Sequence, residues 1–300
     1  MNERQSFPGS ALFARGREWL SSRGSPIQKV FRACQNPDCR RQYLFWPAWL
    51  REEEGIHLQG QWHCSPECFE KAVQSALFRM LPGTEDNSRK HHRIPIGLLL
   101  LSRGVINDQQ LKRALRLQRE NGSGKIGKFL QEIRAVTERE ITEGLAAQWG
   151  CPIYPLGKAR EFLDCASLLP LTLLEAGRML PVHYLRVQQI LYMAFVEGVD
   201  HTALYAVEQM LRLRTVPCIV SESDLSSALA SFRPLARVPA EVFESPNEPM
   251  EIARTTSSYA WNIGATEVWA ARSGQYLWIR MKTEQGYKDI LFQWFGEVHE

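Results

Sequence analysis

Residues 96–118, IGLLLLSRGVINDQQLKRALRLQ, return thirty positions later as residues 126–148, IGKFLQEIRAVTEREITEGLAAQ. The shift sets Ile96 on Ile126, Gly97 on Gly127, Leu100 on Leu130, Leu111 on Ile141, Leu115 on Leu145 and Gln118 on Gln148. Two copies are too few for a solenoid, which stacks roughly three or more repeats to bury a continuous core, so the pattern predicts a pseudo-symmetric pair of helical hairpins. Such a pair makes a platform or a bipartite site. In each copy a capping residue stands before the longer helix, Asn107 with Gln110 and Thr137 with Glu140, at the spacing of a capping box. Leu111, Ala114, Leu115 and Gln118 then share one helix face, and Ile141, Gly144, Leu145 and Gln148 repeat it.

Working outward, 300 residues with 44% apolar and 23% charged side chains describe an ordinary soluble chain of two or three small domains. The longest apolar run, Ile94 to Leu101, stops at Ser102-Arg103, short of the roughly 20 residues a bilayer needs, so no membrane insertion is expected. Arg15, Arg17 and Glu18 interrupt any signal-peptide core, which makes a cytoplasmic chain the expectation. A net charge of +3 gives little electrostatic footprint for nucleic acid, although residues 1–50 hold eight Lys/Arg against three Asp/Glu.

Four of the seven cysteines are gathered as Cys34-x4-Cys39 and, after 24 residues, Cys64-x3-Cys68. In a reducing compartment two close thiolate pairs read as a tetrahedral structural zinc site, with no position left open for water or substrate. Ser65-Pro66-Glu67 reads as N-cap, first-turn proline and acidic first turn, which puts Cys68 on the first turn of a helix. Phe69, Ala72, Val73, Ala76, Leu77 and Met80 give that helix one apolar face. Strands are expected at 41–46 and around 59–62, making a treble-clef-like finger. His63, beside Cys64, is poorly placed to replace a sulfur. Cys151, Cys165 and Cys218 are isolated and read as small core residues.

Thr84 to Arg93 is polar and aperiodic, a linker whose adjacent His91 and His92 read as plain surface. Pro234, Pro239, Pro246 and Pro249 mark a second boundary. Beyond it, 250–263 reads as a helix closed by Gly264, and alternating segments at 267–272, 276–282 and 287–294 read as an antiparallel meander. The expected organisation is α+β and multidomain: a four-cysteine, treble-clef-like zinc finger at 27–82, a linker at 83–94, and paired helical hairpins at 95–150. A small α/β subdomain at 151–232, a linker at 233–248, and a C-terminal helix plus three-stranded meander at 249–300 complete it.

The doubled motif, Gly-x-x-Leu-Leu-x-x-Gly-Val-Ile followed by spaced leucines and a glutamine, resembles the N-terminal domain of the type II secretion and type IV pilus assembly ATPases. In part of that family the motif binds cyclic di-GMP. The resemblance continues through Ala147-Gln148-Trp149-Gly150-Cys151-Pro152-Ile153-Tyr154 and into residues 168–225, where Leu169-Pro170 would open a helix and 190–196 a strand. Gly264-Ala265-Thr266-Glu267-Val268-Trp269 stands where the same ATPases carry a Gly-Ala-Ser-Asp-Ile-His strand, and the chain reaches Glu300 before their nucleotide-hydrolysing domain would begin. The resemblance thus implies a bacterial protein with the regulatory front of such an ATPase and no motor. Asn121-Gly122-Ser123-Gly124-Lys125 is not a phosphate-binding loop, because Arg119 replaces its first glycine and Ile126 its magnesium-binding hydroxyl residue. Without a serine elbow, a zinc-protease helix or a dinucleotide fingerprint, no enzyme is expected.

Three functions follow. The apolar platform docks a protein of a secretion or pilus system; alternatively it binds cyclic di-GMP; alternatively the finger and its basic arm bind nucleic acid, which ranks last. The resemblance assigns the dinucleotide to Ile96, Gly97, Leu111, Leu115, Ile126, Gly127, Ile141 and Leu145, with Arg93, Gln118 and Gln148 as polar contacts. Pro95 stands where the family's binders carry arginine, which leaves Arg93 as the nearest substitute. Loss of one charge-assisted contact of about 1.5–3 kcal/mol would weaken such a ligand some ten- to hundredfold.

Overall fold

The computed structural model describes residues 34–39, 55–80, 93–156, 162–236, 240–244 and 248–293. The basic arm, the strand expected at 41–46 and most of the linker at 83–94 lie outside the described residues.

The doubled motif folds as two hairpins, α2 (Ile96–Ser102) with α3 (Asp108–Glu120), and α4 (Ile126–Glu132) with α5 (Glu138–Trp149). Both capping boxes form: Asn107 and Thr137 each accept from the backbone N–H three residues on, while Gln110 and Glu140 reach back to the capping residue's own N–H. Leu100, Ile106, Leu111, Ala114, Phe129, Leu130 and Val136 make the core of the pair. The pairing is reciprocal, since α3 packs on α4 and α5 packs back on α2. Glycine permits the close approach: a Cβ on Gly97 would stand 2.8 Å from Leu111 Cδ1, and one on Gly144 2.8 Å from Ile96 Cδ1.

The next unit is a three-stranded sheet, β3 (Met179–Leu185) antiparallel to β4 (Ile190–Phe195) and β4 parallel to β5 (Arg214–Ile219). Helix α6 (Phe162–Ala166) and helix α7 (Leu171–Ala176), which starts right after Pro170, lead into it. Helix α8 (His201–Leu211) makes the crossover, and α9 (Glu222–Phe232) follows β5. Asp200 and Ser221 cap α8 and α9 through their side chains. The expected strand at 190–196 is therefore β4. Cys165 and Cys218 are buried in this core, whereas Cys151 is half-buried at its edge.

The C-terminal segment forms α10 (Pro249–Asn262) and the meander β7 (Glu267–Ser273), β8 (Tyr276–Thr283) and β9 (Gly286–Gln293). The meander is the middle of a larger sheet. On one side it meets a hairpin from the cysteine segment, β1 (Ile56–Leu58) and β2 (Gln61–His63), turned by Gln59 and Gly60 at φ 50° and 84°. On the other side lies a parallel edge strand, β6 (Ala240–Phe243), which gives the order β2-β1-β7-β8-β9-β6. Gln59 is thus a turn residue, where the sequence suggested the strand would begin. Strand β1 pairs in parallel with β7, His57 N–H donating to Thr266 O at 3.0 Å and Gln59 N–H to Val268 O at 2.8 Å.

Alternation along the strands gives this sheet two buried faces. Val268, Ala270, Leu277, Ile279, Met281, Ile290 and Phe292 pack with Ile252, Ala253 and Ala260 of α10 and with Phe69, Val73, Ala76 and Leu77 of α1 (Pro66–Met80). Trp269, Ala271, Tyr276, Trp278 and Leu291 face the opposite way and join the core of the α/β unit. On that side lies a buried ion pair. Asp289 accepts from Arg280 Nε at 2.8 Å, from Arg280 Nη2 at 2.8 Å and from Trp278 Nε1 at 2.6 Å, while Arg280 Nη2 also donates to Leu168 O at 3.0 Å. Among the described residues no helix is long and apolar enough to cross a membrane.

Candidate functional site

Two sites are assembled from the residues singled out in the sequence. In the first, Cys34, Cys39, Cys64 and Cys68 come together with their sulfurs within 4.8 Å of one another and all four side chains buried. A tetrahedral ion with bonds of about 2.3 Å would hold sulfurs roughly 3.8 Å apart, a spacing these four side chains reach with shifts of about 1 Å or less, so the donor set fits a thiophilic metal. Local structure explains the convergence. Asn36 O accepts from Cys39 N–H in a tight turn, Gln35 N–H donates to Trp62 O, and Ser65 Oγ accepts from Cys68 N–H as α1 begins. Burial drives the Cys34 and Cys64 thiols well above their usual pKa. Burial acts on Cys68 in the same sense, but hydrogen bonds from Asn36 and Ser65 outweigh it and bring its thiol down. His63 stays outside the cluster: it is buried edge-on to Phe69, neither ring nitrogen has a hydrogen-bond partner among the described residues, and burial pushes its pKa down to about 4.

The second site is a cleft of about 940 Å³ between the doubled hairpins and the α/β unit. Ile96, Ile126, Gly127, Ile141 and Leu145 form its apolar wall, and Gln118 and Gln148 lie on its rim. The two glutamines behave as a symmetry pair. Gln118 Nε2 donates to Gly124 O and Gln148 Nε2 to Ile94 O, both at 2.7 Å, so each binds the backbone two residues before the other repeat's opening isoleucine. Lys125, Lys128 and Arg178 line the cleft with Glu138, Glu197 and Glu222, which leaves it without net charge. Glu138 is engaged, accepting from Ser223 N–H and Oγ at 2.7 Å each.

The other four residues assigned to a dinucleotide lie elsewhere. Gly97 and Leu111 are inside the hairpin core, and Leu115 is 36% exposed outside the cleft. Arg93 stacks its guanidinium on the Trp149 ring at 3.4 Å from the centroid. Trp149 in turn closes over Gly198, where a Cβ would meet the indole at 2.5 Å. Symmetry between the repeats is broken because α5 packs on the α/β unit, with Leu145 and Trp149 against its core, whereas the equivalent Leu115 of α3 is exposed. Arg178, Glu197 and Glu222 were not legible as site residues, and the one signal for Lys125, that the thirty-residue shift sets it on Pro95, was not read. Those three come from separate segments of the α/β unit, and no spacing links them to one another or to the joint of the repeats.

No model of a known protein family matches the chain. It is similar to the type IV pilus assembly ATPase PilB of Thermus thermophilus, 26% identical over 144 residues, which is 48% of this chain and 16% of that protein. The PilB of Myxococcus xanthus is 32% identical over 88 residues, 29% of this chain and 15% of the relative. The matched segments therefore span about one sixth of the curated relatives. Among solved structures, MshE "with cdg" is 25% identical with a TM-score of 0.41, covering 47% of this chain and 99% of that one. The N-terminal domain of XpsE is 22% identical with a TM-score of 0.33, covering 45% and 92%. The chain is similar to the N-terminal domain of the secretion and pilus assembly ATPases, as the doubled motif implies.

Proposed function

We propose that the chain is a non-catalytic regulatory protein of a pilus or secretion system whose cleft binds a cyclic dinucleotide, cyclic di-GMP. The observation that carries this reading is the cleft itself. It is concave, its volume falls in the range of about 300–1,000 Å³ typical of small-ligand sites, and both repeats contribute to it: Ile96 and Ile126 from equivalent positions of its apolar wall, Gln118 and Gln148 from equivalent positions of its rim. Ile96 and Ile126, with Ile141 and Leu145, would pack on the bases, while the rim would hold the phosphates. The four-cysteine cluster is assigned a structural zinc ion, whose thiolate ligands hold β1, β2 and α1 together.

Docking of a protein partner is the second reading, supported by Leu98 and Leu115 on the hairpins and Ile94 just before them, which are 51%, 36% and 60% exposed. Two substitutions separate the readings. Ile141→Asp places an unpaired charge on the cleft wall and is expected to abolish cyclic di-GMP binding in calorimetry, whereas Leu115→Asp, outside the cleft, should leave it intact. Absence of heat with high micromolar ligand, from folded wild-type protein carrying its metal, would end the dinucleotide reading. Loss of binding in Leu115→Asp alone would move the ligand off the cleft.

A further inference from the structure

Glu197 is held as an anionic ligand would be. Its two carboxylate oxygens go to two different cations: Oε2 to Lys125 and Oε1 to Arg178 Nη1 at 3.1 Å. Arg178 is also paired with Glu222. Lys125 stands on the loop that joins the two repeats, Arg178 immediately before β3, Glu197 two residues after the end of β4, and Glu222 at the start of α9. All four line the same cleft, so the pair Lys125–Glu197 spans it from one wall to the other.

Three features make Glu197 replaceable. Its side chain is 37% exposed, that of Arg178 42% and that of Lys125 65%, and ion pairs this wet contribute little to stability. Two cations converging on two oxygens of one group match a phosphate as well as a carboxylate, with arginine able to donate to two of its oxygens. Arg178 itself sits at φ 45°, a backbone conformation that favours glycine, so the long cationic side chain is present at a position where local geometry alone would select glycine.

We propose that Lys125 and Arg178 form a phosphate-binding site at the polar end of the cleft, and that Glu197 occupies it as an internal counter-anion which an entering phosphate displaces. This deepens the reading of the cleft as a ligand site but does not depend on which phosphorylated ligand enters. Displacement would break one of the ties between the hairpins and the α/β unit, coupling occupancy of the cleft to the relation of its two walls.

The sign of one substitution tests it. In the full metal-loaded chain, Glu197→Gln removes the competing anion and keeps its shape, so cyclic di-GMP should bind roughly three- to tenfold more tightly than to wild type. Lys125→Ala and Arg178→Gly should each weaken binding roughly ten- to hundredfold, and the glycine variant should melt no lower than wild type because it relieves the positive φ. Pyrophosphate is titrated in parallel as a probe that needs no base recognition. Glu197→Gln that binds both probes no better than wild type overturns the proposal, even if cyclic di-GMP still binds and the cleft reading survives. Conversely, if cyclic di-GMP gives no heat while Glu197→Gln gains pyrophosphate binding that Lys125→Ala removes, the phosphate site stands and the dinucleotide reading falls.

Discussion

Replacing Asp289 by alanine tests how the six-stranded sheet is fixed to the α/β unit. The carboxylate is completely buried and accepts three hydrogen bonds, two from Arg280 and one from the Trp278 indole. Its removal leaves a guanidinium whose side chain is 5% exposed with Leu168 O as its remaining acceptor among the described residues, and leaves the indole N–H without one among them. Breaking a buried pair from one side costs about 3–5 kcal/mol, and an orphaned neutral donor about 1–3 kcal/mol. The two overlap in one network, so a loss of about 4 kcal/mol is expected, set against a total stability of roughly 5–15 kcal/mol for a typical domain. Urea unfolding followed by tryptophan fluorescence measures it. The double substitution Arg280→Met with Asp289→Leu removes both charges and fills the space, and should recover about 1–3 kcal/mol of that loss. A cost below about 1 kcal/mol for Asp289→Ala, or a double variant no more stable than the single one, would refute the argument that the stranded charge sets the penalty.

Metal analysis should give one zinc ion per chain, and chelation should lower hydrogen-exchange protection in residues 267–270 as well as in 56–80, because β1 pairs with β7 and α1 packs on α10. No zinc, or loss confined to 56–80, would count against this. Gly97→Ala drives a Cβ to 2.8 Å from Leu111 Cδ1, whereas the equivalent Cβ at Gly127 meets Ile141 Cδ1 at an ordinary 3.4 Å. Thermal melts should therefore rank Gly97→Ala about 1 kcal/mol below Gly127→Ala, and equal stability would show that Leu111 yields freely. The hydrogen bond from Lys282 holds Glu267 below its ordinary value of 4.5, so its contribution is present above that pH and fades as pH falls through the lowered value. Glu267→Gln should accordingly melt below wild type near neutrality and converge with it in acid; a gap that persists at the acid end would assign the loss to something other than this titration.

Much of the architecture was written locally. The capping boxes at Asn107 and Thr137, the thirty-residue shift, the Ser65-Pro66 helix start and the period-two segments of the tail each depend on neighbours a few residues apart, and each formed where it was read. The cysteine cluster was legible for a related reason, since sulfur spacing constrains which ligands can meet at one ion. Gln118 and Gln148 were found by symmetry, although their hydrogen bonds to Gly124 and Ile94 were not.

What the sequence could not determine is which prefabricated piece sits beside which. Strand β1 has three residues, and its bonds to β7 are made by backbone groups that every residue carries, so nothing in Ile56-His57-Leu58 names a partner more than two hundred positions away. The cleft has the same origin. Ile141 and Leu145 read equally well as core or as surface until the α/β unit packs beside α5, and Lys125 becomes a site residue only because that packing brings Glu197 to it. Periodicity and capping are short-range and repeat along the chain, whereas docking depends on the shape and charge of two surfaces that exist only once each has folded.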